Sequence, residues 1–582
     1  MTGRKQVAVG GTGQTGAVFV VLSRAGRDIL ATSLDDGGAA VGPVIGTAVE
    51  TVTVDDLAAY VAKLEREHPR WVWDDTNHWY PQLLAAGVRV ERCFDLRLCH
   101  VILRNSMLTA DSALARAEPS SWDAAPISPI AQPTHEADGA LFDLDDEREP
   151  VQKADPVTEF RSQREAVAAS ADPGRIGRLL AVESAGALIA AEMTFAGLPW
   201  RVDTHDRILA ELLGPRPIDG ERPAKLLVFL ERIRTLLEAP DLNPDSPVEL
   251  LKALGRAGLM VTSTRSWDLK KLKHPVIEPL LEYKKLARLA SANGWHWLDS
   301  WVADGRFRPT YVPGGVVTGR WASDGGGALQ LPKQVRGAVI ADAGWKLVVA
   351  DASQLEPRVL AGMSADRAMA EAGSADLYAG IVASGAVETR DQAKVAMLGA
   401  MYGATTGESG RLMPKLARAY PKAIGLVEAA ARAGERGEIV TTTLGRSSPL
   451  PAASWRLAQA EAYGETATDA DQSRARGQAR SWGRFTRNFV VQGSAAEWAL
   501  CWMASLRIRL HALSGEAWLT DAPHLVFFLH DEVVVHCPER LAERVAEEVR
   551  AAAAEAGRLL FGQLPVTFPV TVAIVDNYGE AK

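Results

Sequence analysis

Two acidic residues at the ends of apolar stretches could carry chemistry. Asp351 follows WKLVVA (345–350), and Asp531 follows HLVFFLH (524–530), with Glu532 next to it and VVVHC after that. Apolar, β-branched runs of this length read as buried strands, so HLVFFLHDEVVVHC has the form of a hairpin with acids at its tip. A carboxylate where a buried strand leaves the core is costly unless positive charge meets it. For Asp351 taken alone, Asp-x-Ser before a helical run is equally a helix cap. The hairpin weighs against the cap, because two strands that each deliver a carboxylate to one sheet edge can set Asp351 and Asp531 side by side. Such a pair repels unless cations bridge it. Two Mg²⁺ ions about 3.5–4 Å apart clamp both the attacking and the leaving oxygens of a phosphoryl transfer.

That chemistry needs a cationic surface for the phosphates. In RDQAKVAMLGAMYG, Arg390, Lys394, Leu398 and Tyr402 are each four apart, so a helix sets them in one stripe. Cations suit the phosphates of a nucleoside triphosphate, and an apolar and an aromatic residue suit its sugar and base. Arg484, Asn488 and Gln492 repeat the spacing and form a hydrogen-bonding ridge. A glycine-rich loop before the Asp351 strand carries Thr318, Arg320 and Gln330, residue types that donate to phosphate, sugar or minor-groove acceptors. A basic helix over 279–292 holds Lys284 and Lys285; such helices are usually solvated surface, and here the companion motifs point to phosphate contact.

The elements that must position these residues are spread over 582 residues, enough for three or four domains. Nothing resembles a cleavable signal or a membrane span, which implies a cytoplasmic protein. Cys93, Cys99, Cys501 and Cys537 are scattered and read as structural thiols. Residues 107–160 hold twelve acids and three bases, so this segment accounts for −9 of a net −8 and the remainder is near neutral at +1. The overall acidity therefore does not exclude a nucleic-acid partner.

Residues 1–106 alternate strand-like and helix-like pieces. Gly11, Gly13 and Gly16 match a dinucleotide fingerprint, but strand-like AVFVVLS follows where a helix is required, so a hairpin turn is the better reading. Residues 107–175 have the composition of an acidic disordered linker. Within it GALFDL (139–144) resembles a sliding-clamp binding pentapeptide without its leading Gln, with Leu141 and Phe142 as docking residues; chance hydrophobes in a tether are the alternative. Helices dominate from residue 179 onward.

TGRWAS with LQLP, DASQLEPR, RDQAKxxxLxxxYG, and RNFVVQGSAAE with LHDE, in this order, resemble the bacterial DNA polymerase I family, family A, over roughly residues 180–582. The resemblance implies an α/β and α+β multidomain fold: a small exonuclease-like α/β domain, then a right-hand polymerase with an antiparallel palm sheet. Its domains would be 1–106 exonuclease-like, 107–175 linker and 176–582 polymerase, with the thumb at about 205–305, the palm at about 306–370 and 490–582, and the fingers at about 371–489. It implies Asp351 and Asp531 as ligands of two Mg²⁺ ions (Mn²⁺ as substitute) with Glu532 in support. Arg390 and Lys394 would hold the triphosphate, Lys394 serving as proton donor to the leaving pyrophosphate. Glu356 would be the gate against a ribose 2′-hydroxyl, and Tyr402 would stack near the templating position. Gln354, Tyr378 and Leu398 complete the nucleotide site; Thr318, Arg320, Gln330, Arg484, Asn488, Gln492, His530, Lys284 and Lys285 would face the DNA.

Three positions depart from the family pattern. Leu398 replaces an aromatic residue on the nucleotide helix, Tyr378 a phosphate-contacting His, and Ala352 the Tyr after the first metal Asp. Residues 71–103 resemble the family's 3′ to 5′ exonuclease fold, yet its first-strand Asp-x-Glu is missing and Trp79 stands at its second-motif Asp, so the domain is expected not to proofread. No 5′ nuclease domain is expected. These readings lead to a monomeric DNA-directed DNA polymerase of the cytoplasm and nucleoid. It would take primer-template DNA and deoxynucleoside triphosphates, in repair or gap filling. A bifunctional exonuclease/polymerase and a non-catalytic DNA-binding repair factor are the alternatives.

Overall fold

The computed structural model of the chain describes residues 19–35, 39, 49–123, 155–218, 220–404, 407–462, 464 and 467–581. The fingerprint at 11–16 and the Leu141–Phe142 island lie outside them.

An amino-terminal five-stranded sheet comprises β1 (Phe19–Ala25), β2 (Asp28–Leu34), β3 (Val49–Thr53), β4 (Arg70–Trp73) and β5 (Cys93–Asp95), in the order β3-β2-β1-β4-β5. β1 and β2 form a hairpin with a two-residue loop, whose first residue, Gly26, takes the left-handed φ of +66° that such a loop demands. β4 and β5 run parallel to β1, as crossovers through helices require.

The expected disordered linker over 107–175 is corrected at both ends. Short helices at Met107–Thr109, Ala113–Arg116 and Ser121–Asp123 and a longer one at Pro156–Ala168 pack on the amino-terminal domain. Leu114, Trp122 and Phe160 are buried, with the Phe160 ring 4.9 Å from Phe19 and 5.5 Å from Phe94. Average composition misses this because a few large hydrophobes, each meeting a distant partner, suffice to dock the segment.

Helix Pro173–Ala196 is long and apolar enough to cross a membrane, but 72% of its apolar window is buried inside the molecule, where it packs against the amino-terminal domain and the long helix Asp469–Ser514. The second large sheet contains β6 (Trp345–Ala352), β7 (His524–Leu529), β8 (Glu532–Pro538) and β9 (Val570–Val575), all antiparallel, in the order β7-β8-β6-β9. In β6, Leu347, Val348, Val349 and Ala350 are buried in succession, so both faces are covered, as its unbroken apolar run required. Helix Ala542–Phe561 packs on this sheet and on the long helix. The long helix starts with a capping box, Thr468 with Asp471, and at 46 residues extends about 69 Å.

A buried ionic cluster joins the amino-terminal domain to the rest. Glu192, on Pro173–Ala196, accepts from the Tyr80 hydroxyl at 2.6 Å, from Arg89 Nε at 2.9 Å and from Arg507 Nη2 at 2.6 Å. Arg507, on the long helix, also donates to the carbonyls of Glu91 (2.6 Å) and Val90 (2.5 Å). Burial alone would raise the Glu192 carboxyl, but the Arg507 and Arg89 guanidiniums outweigh it and hold the group well below the usual carboxylate range.

Candidate active site

The register of β6, β7 and β8 assembles the acidic centre. Asp351 stands opposite Glu532, and the Ala352 amide donates to the Asp531 carbonyl at 2.9 Å, so Asp351 and Asp531 are adjacent at one sheet edge. Asp351 lies within the last residues of β6 rather than beyond its end. Because Leu529 pairs with Glu532, the hairpin loop is only His530-Asp531, and its first residue must take positive φ. His530 does so at +61°, a conformation His tolerates better than most residues. Gln354 (φ +57°) turns the chain between β6 and helix Leu355–Ser364. Non-glycine residues held left-handed cost about 1–3 kcal/mol and concentrate at functional sites; here one follows each carboxylate-bearing strand.

Glu532 is more structural than its sequence neighbour. It is buried and engaged by Arg336 at 3.3 Å and by the Tyr578 hydroxyl, with the Arg336 guanidinium 4.5 Å over the Tyr578 ring. Among the described residues no group of three or more His, Cys, Asp or Glu side chains forms a ready-made metal cage. Asp351 and Asp531, both half-exposed carboxylates, nonetheless fit Mg²⁺, which binds through one or two carboxylates and leaves its other positions to water and substrate phosphates.

Beside this edge is a cavity of about 280 Å³, with Arg320, Trp321, Glu356, Leu398, His530 and Asp531 in its walls and Ala496, Leu500 and Met503 of the long helix behind. Glu356, in the first turn of its helix, accepts from Arg320 Nη2 at 2.5 Å and from the Tyr402 hydroxyl at 2.9 Å. Burial, reinforced by the Glu356 charge, pushes the Tyr402 phenol up to about 12, so it remains a donor. Two distant chain segments thus hold one carboxylate in the cavity wall.

The stripe on Arg390–Tyr402 exists as predicted. Arg390, Lys394, Leu398 and Tyr402 are on the exposed face, while Ala393, Ala396, Met397 and Ala400 are buried behind them. Arg390 is bridged to Asp376 at 2.9 Å and lies 5.5 Å over the ring of Tyr378, which is buried in the cavity wall. Gln354 accepts from the Leu377 amide at 2.8 Å and so caps the helix that carries Tyr378.

On the long helix, Arg484 is exposed, and Asn488 and Gln492 are half-buried along the same face. Gln330 is exposed on the glycine-rich loop. Burial, with Arg320 adding to it, lowers the His530 imidazole. Thr318 departs from expectation: it is 5% exposed and packs behind the surface, its carbonyl near Gly493 of the long helix, where a Cβ would meet Thr442 Cγ2 at 2.5 Å. Lys284 and Lys285 stand apart from the cavity. Lys284 donates to Thr264 Oγ1 at 3.3 Å and Lys285 pairs with Glu282 at 3.1 Å.

Several structural contributors escaped the sequence reading. Tyr311 exchanges hydrogen bonds with the Phe528 backbone (2.8 and 3.0 Å) beside the bulge of β7, which steadies the strand leading to Asp531. Arg358, 1% exposed, donates to the carbonyls of Ser353 and Thr567 at 3.0 Å each and ties the Glu356 helix to the chain before β9. Arg358 closes the DASQLEPR motif, so its type and place were legible; its carbonyl partners were not.

In the amino-terminal domain β1 carries no acid. Asp75 caps helix Thr76–Ala85 through the Asn77 amide (2.9 Å) and pairs with Arg97; Asp95 accepts from the Thr76 amide (2.8 Å) and Leu98 amide (3.0 Å); Asp74 accepts from the Trp79 indole at 2.6 Å. All three carboxylates are committed to capping and packing. Trp79 is 1% exposed.

The chain matches the family model for DNA polymerase family A over residues 226–580. It is 26% identical over 369 residues to the thermostable DNA polymerase I of Thermus thermophilus, covering 57% of this chain and 40% of that one. With DNA polymerase I of Bacillus subtilis it shares 25% over 409 residues, 62% of this chain and 42% of the relative. It spans about two fifths of the length of these relatives. A solved structure, the POL domain of Pol1 from M. smegmatis in complex with DNA primer-template and dNTP, has the same fold at a TM-score of 0.65 and 19% identity, covering 98% of this chain and 96% of that one.

Proposed function

The chain belongs to DNA polymerase family A, and from that premise we propose that it is a template-directed DNA polymerase that lengthens a primer 3′ end. The observation that carries this is the strand register that sets Asp351 beside Asp531 at the mouth of a cavity bounded by Glu356 and the Arg390–Tyr402 stripe. Asp351 and Asp531 would hold two divalent cations, Mg²⁺ by their chemistry. When bound, such a pair activates the primer hydroxyl and offsets charge on the transferred phosphate. Arg336 and Tyr578 fix Glu532, and through it the β6–β8 edge, at constant geometry. Arg390 and Lys394 take the triphosphate, and Lys394 passes a proton to the leaving pyrophosphate. Catalysis of this kind is mostly positioning and electrostatics. A primed template supplied with deoxynucleotides and Mg²⁺ should be extended by the wild-type protein, and absence of extension rejects the reading.

In this reading the β6–β9 sheet is the palm, residues of about 371–489 the fingers and those of about 205–305 the thumb. Primer-template DNA and deoxynucleoside triphosphates are the partners, and the protein acts as a monomer in the cytoplasm.

Glu356 is the sugar gate. Replacing Glu356 by Ala removes the wall that Arg320 and Tyr402 hold in place, and should relax discrimination against ribonucleotides by roughly tenfold or more. The ratio of kcat/KM for deoxy- and ribonucleotide measures this, and an unchanged ratio removes Glu356 from the role. The amino-terminal domain does not proofread. With Mg²⁺ present, a labelled mismatched primer 3′ end should release no more mononucleotide than in a chelated control; chelator-sensitive release would restore the bifunctional alternative.

A further inference from the structure

We infer that Arg446 is a positioning residue of the sugar gate: braced by Glu183, it holds the turn at Gly319 and so fixes Arg320, the side chain that keeps Glu356 in the cavity wall. The inference rests on the reading of Glu356 as the gate, and extends it to a charge pair that stands behind the cavity rather than in its lining.

Glu183 is 1% exposed in the middle of helix Pro173–Ala196, where a carboxylate is costly unless a cation meets it. Arg446 supplies the cation. Its Nη2 donates to Glu183, and its own side chain is only 11% exposed. A buried ion pair gains little over apolar residues of the same volume, so its use here points to geometry rather than to stability.

The loop that carries Arg446 is pinned by its neighbours. It closes on itself, the Thr442 amide donating to the Arg446 carbonyl and the Arg446 amide to Thr442 Oγ1, each at 2.9 Å. On the long helix, Glu497 accepts from the Thr442 hydroxyl and from the Leu444 amide (2.8 Å), and Ser494 Oγ accepts from the Thr443 amide (2.9 Å). Arg175, on the Glu183 helix, donates to the carbonyls of Thr442 and Thr443 at 2.5 Å each. The Ser106 hydroxyl of the amino-terminal domain donates to the Gly445 carbonyl at 2.7 Å. Arg446 therefore projects from a fixed base.

What it projects against is Gly319. The Arg446 atoms Cδ, Nε and Cζ lie 3.2, 2.5 and 3.0 Å from where a Cβ at residue 319 would stand. Nε makes no hydrogen bond among the described residues, so this contact is packing. Only glycine suits the place, both for that approach and for its φ of +83°. The Gly319 amide donates to the Val316 carbonyl (2.7 Å) and the Val316 amide to the Arg320 carbonyl (3.1 Å), so a tight turn on the guanidinium sets the Arg320 backbone. From there Arg320 Nη2 reaches Glu356 at 2.5 Å. Without the guanidinium the turn can settle towards Glu183 and carry Arg320 away from the gate.

The test measures, on the full chain, the ratio of kcat/KM for a deoxynucleotide to that for the matching ribonucleotide. Arg446→Met with Glu183→Met removes the guanidinium without stranding a buried carboxylate, and should lower the ratio roughly three- to tenfold. Placed on Glu356→Ala the same pair should lower it no further, because both changes act through one carboxylate. A merely structural defect would reduce both kcat/KM values in proportion and leave the ratio unmoved. Gly319→Ala is a second route that does not depend on the double variant folding: its Cβ must displace the guanidinium, and the ratio should fall likewise. An unchanged ratio in Gly319→Ala or in the folded double variant overturns the inference. So does a further fall on the Glu356→Ala background, which would place Arg446 on a separate path. If Glu356→Ala alone relaxes discrimination and these variants do not, the brace is rejected and the gate stands; if Glu356→Ala itself changes nothing, the gate falls and the brace with it.

Discussion

Asp351→Ala should extend a primer about a thousandfold more slowly than wild type, with unfolding scarcely changed. Removing a carboxylate that holds a divalent cation on a transferring phosphate forfeits several kcal/mol of transition-state stabilisation, and each 1.36 kcal/mol is tenfold in rate. The fold should tolerate the change, because Asp351 is half-exposed at the last positions of β6, while the strand is held by buried Leu347, Val348, Val349 and Ala350. Asp351→Asn keeps the shape and loses the charge, so it should be nearly as slow. Primer extension under single-turnover conditions, with thermal unfolding alongside, measures both quantities. An Asn variant within tenfold of wild type would mean that the charge at 351 does not hold the cation. A large loss of stability would mean that the residue is structural, as the helix-cap alternative supposes.

Arg507→Ala should cost about 3–5 kcal/mol, the penalty for breaking a buried ion pair from one side, and should uncouple the amino-terminal domain. Arg507 is 5% exposed, and its guanidinium joins Glu192 to the carbonyls of Val90 and Glu91; its loss leaves the Glu192 carboxylate to Arg89 and Tyr80 among the described residues and strands the buried Val90 carbonyl. Calorimetry should show an early transition splitting from the main one, and limited proteolysis should release the amino-terminal domain. A single transition near the wild-type position would show that the cluster contributes little. The pH dependence has a definite sign. Glu192 is held far below its unfolded value, so its contribution is present above the ordinary carboxylate range and fades only as pH falls through that range towards the depressed folded value. Acidification to pH ~5 should therefore leave the domains joined.

The helix-cap alternative for Asp351 shows how local and distant information divide. Both readings place an acid after WKLVVA. Only the pairing of β6 with β8, nearly two hundred residues later, puts Asp531 beside it. Thr318 and Lys284 illustrate the reverse. Their types suit DNA contact, but Thr318 is buried behind the surface and Lys284 donates to Thr264, partners that spacing does not reveal. The two ends of the segment expected as a linker, 107–123 and 155–175, are structured for a related reason. Trp122 and Phe160 are too sparse to register as a pattern, yet each docks against a surface supplied by another element.

By itself the sequence determined the parts whose physics is local. Periodicity of four set Arg390, Lys394, Leu398 and Tyr402 on one helical face, and unbroken apolar runs made strands of 345–352 and 524–529. The His530-Asp531 loop put an acid at a hairpin tip, and β1 carries no acid. Tertiary structure alone decided that Arg320 and Tyr402 would hold Glu356, that Arg336 and Tyr578 would claim Glu532, and that Glu192 and Arg507 would lock the amino-terminal domain to the long helix. A buried charge must find its counter-charge wherever folding brings one, and those partners lie tens to hundreds of residues away, where no period in the sequence can point to them.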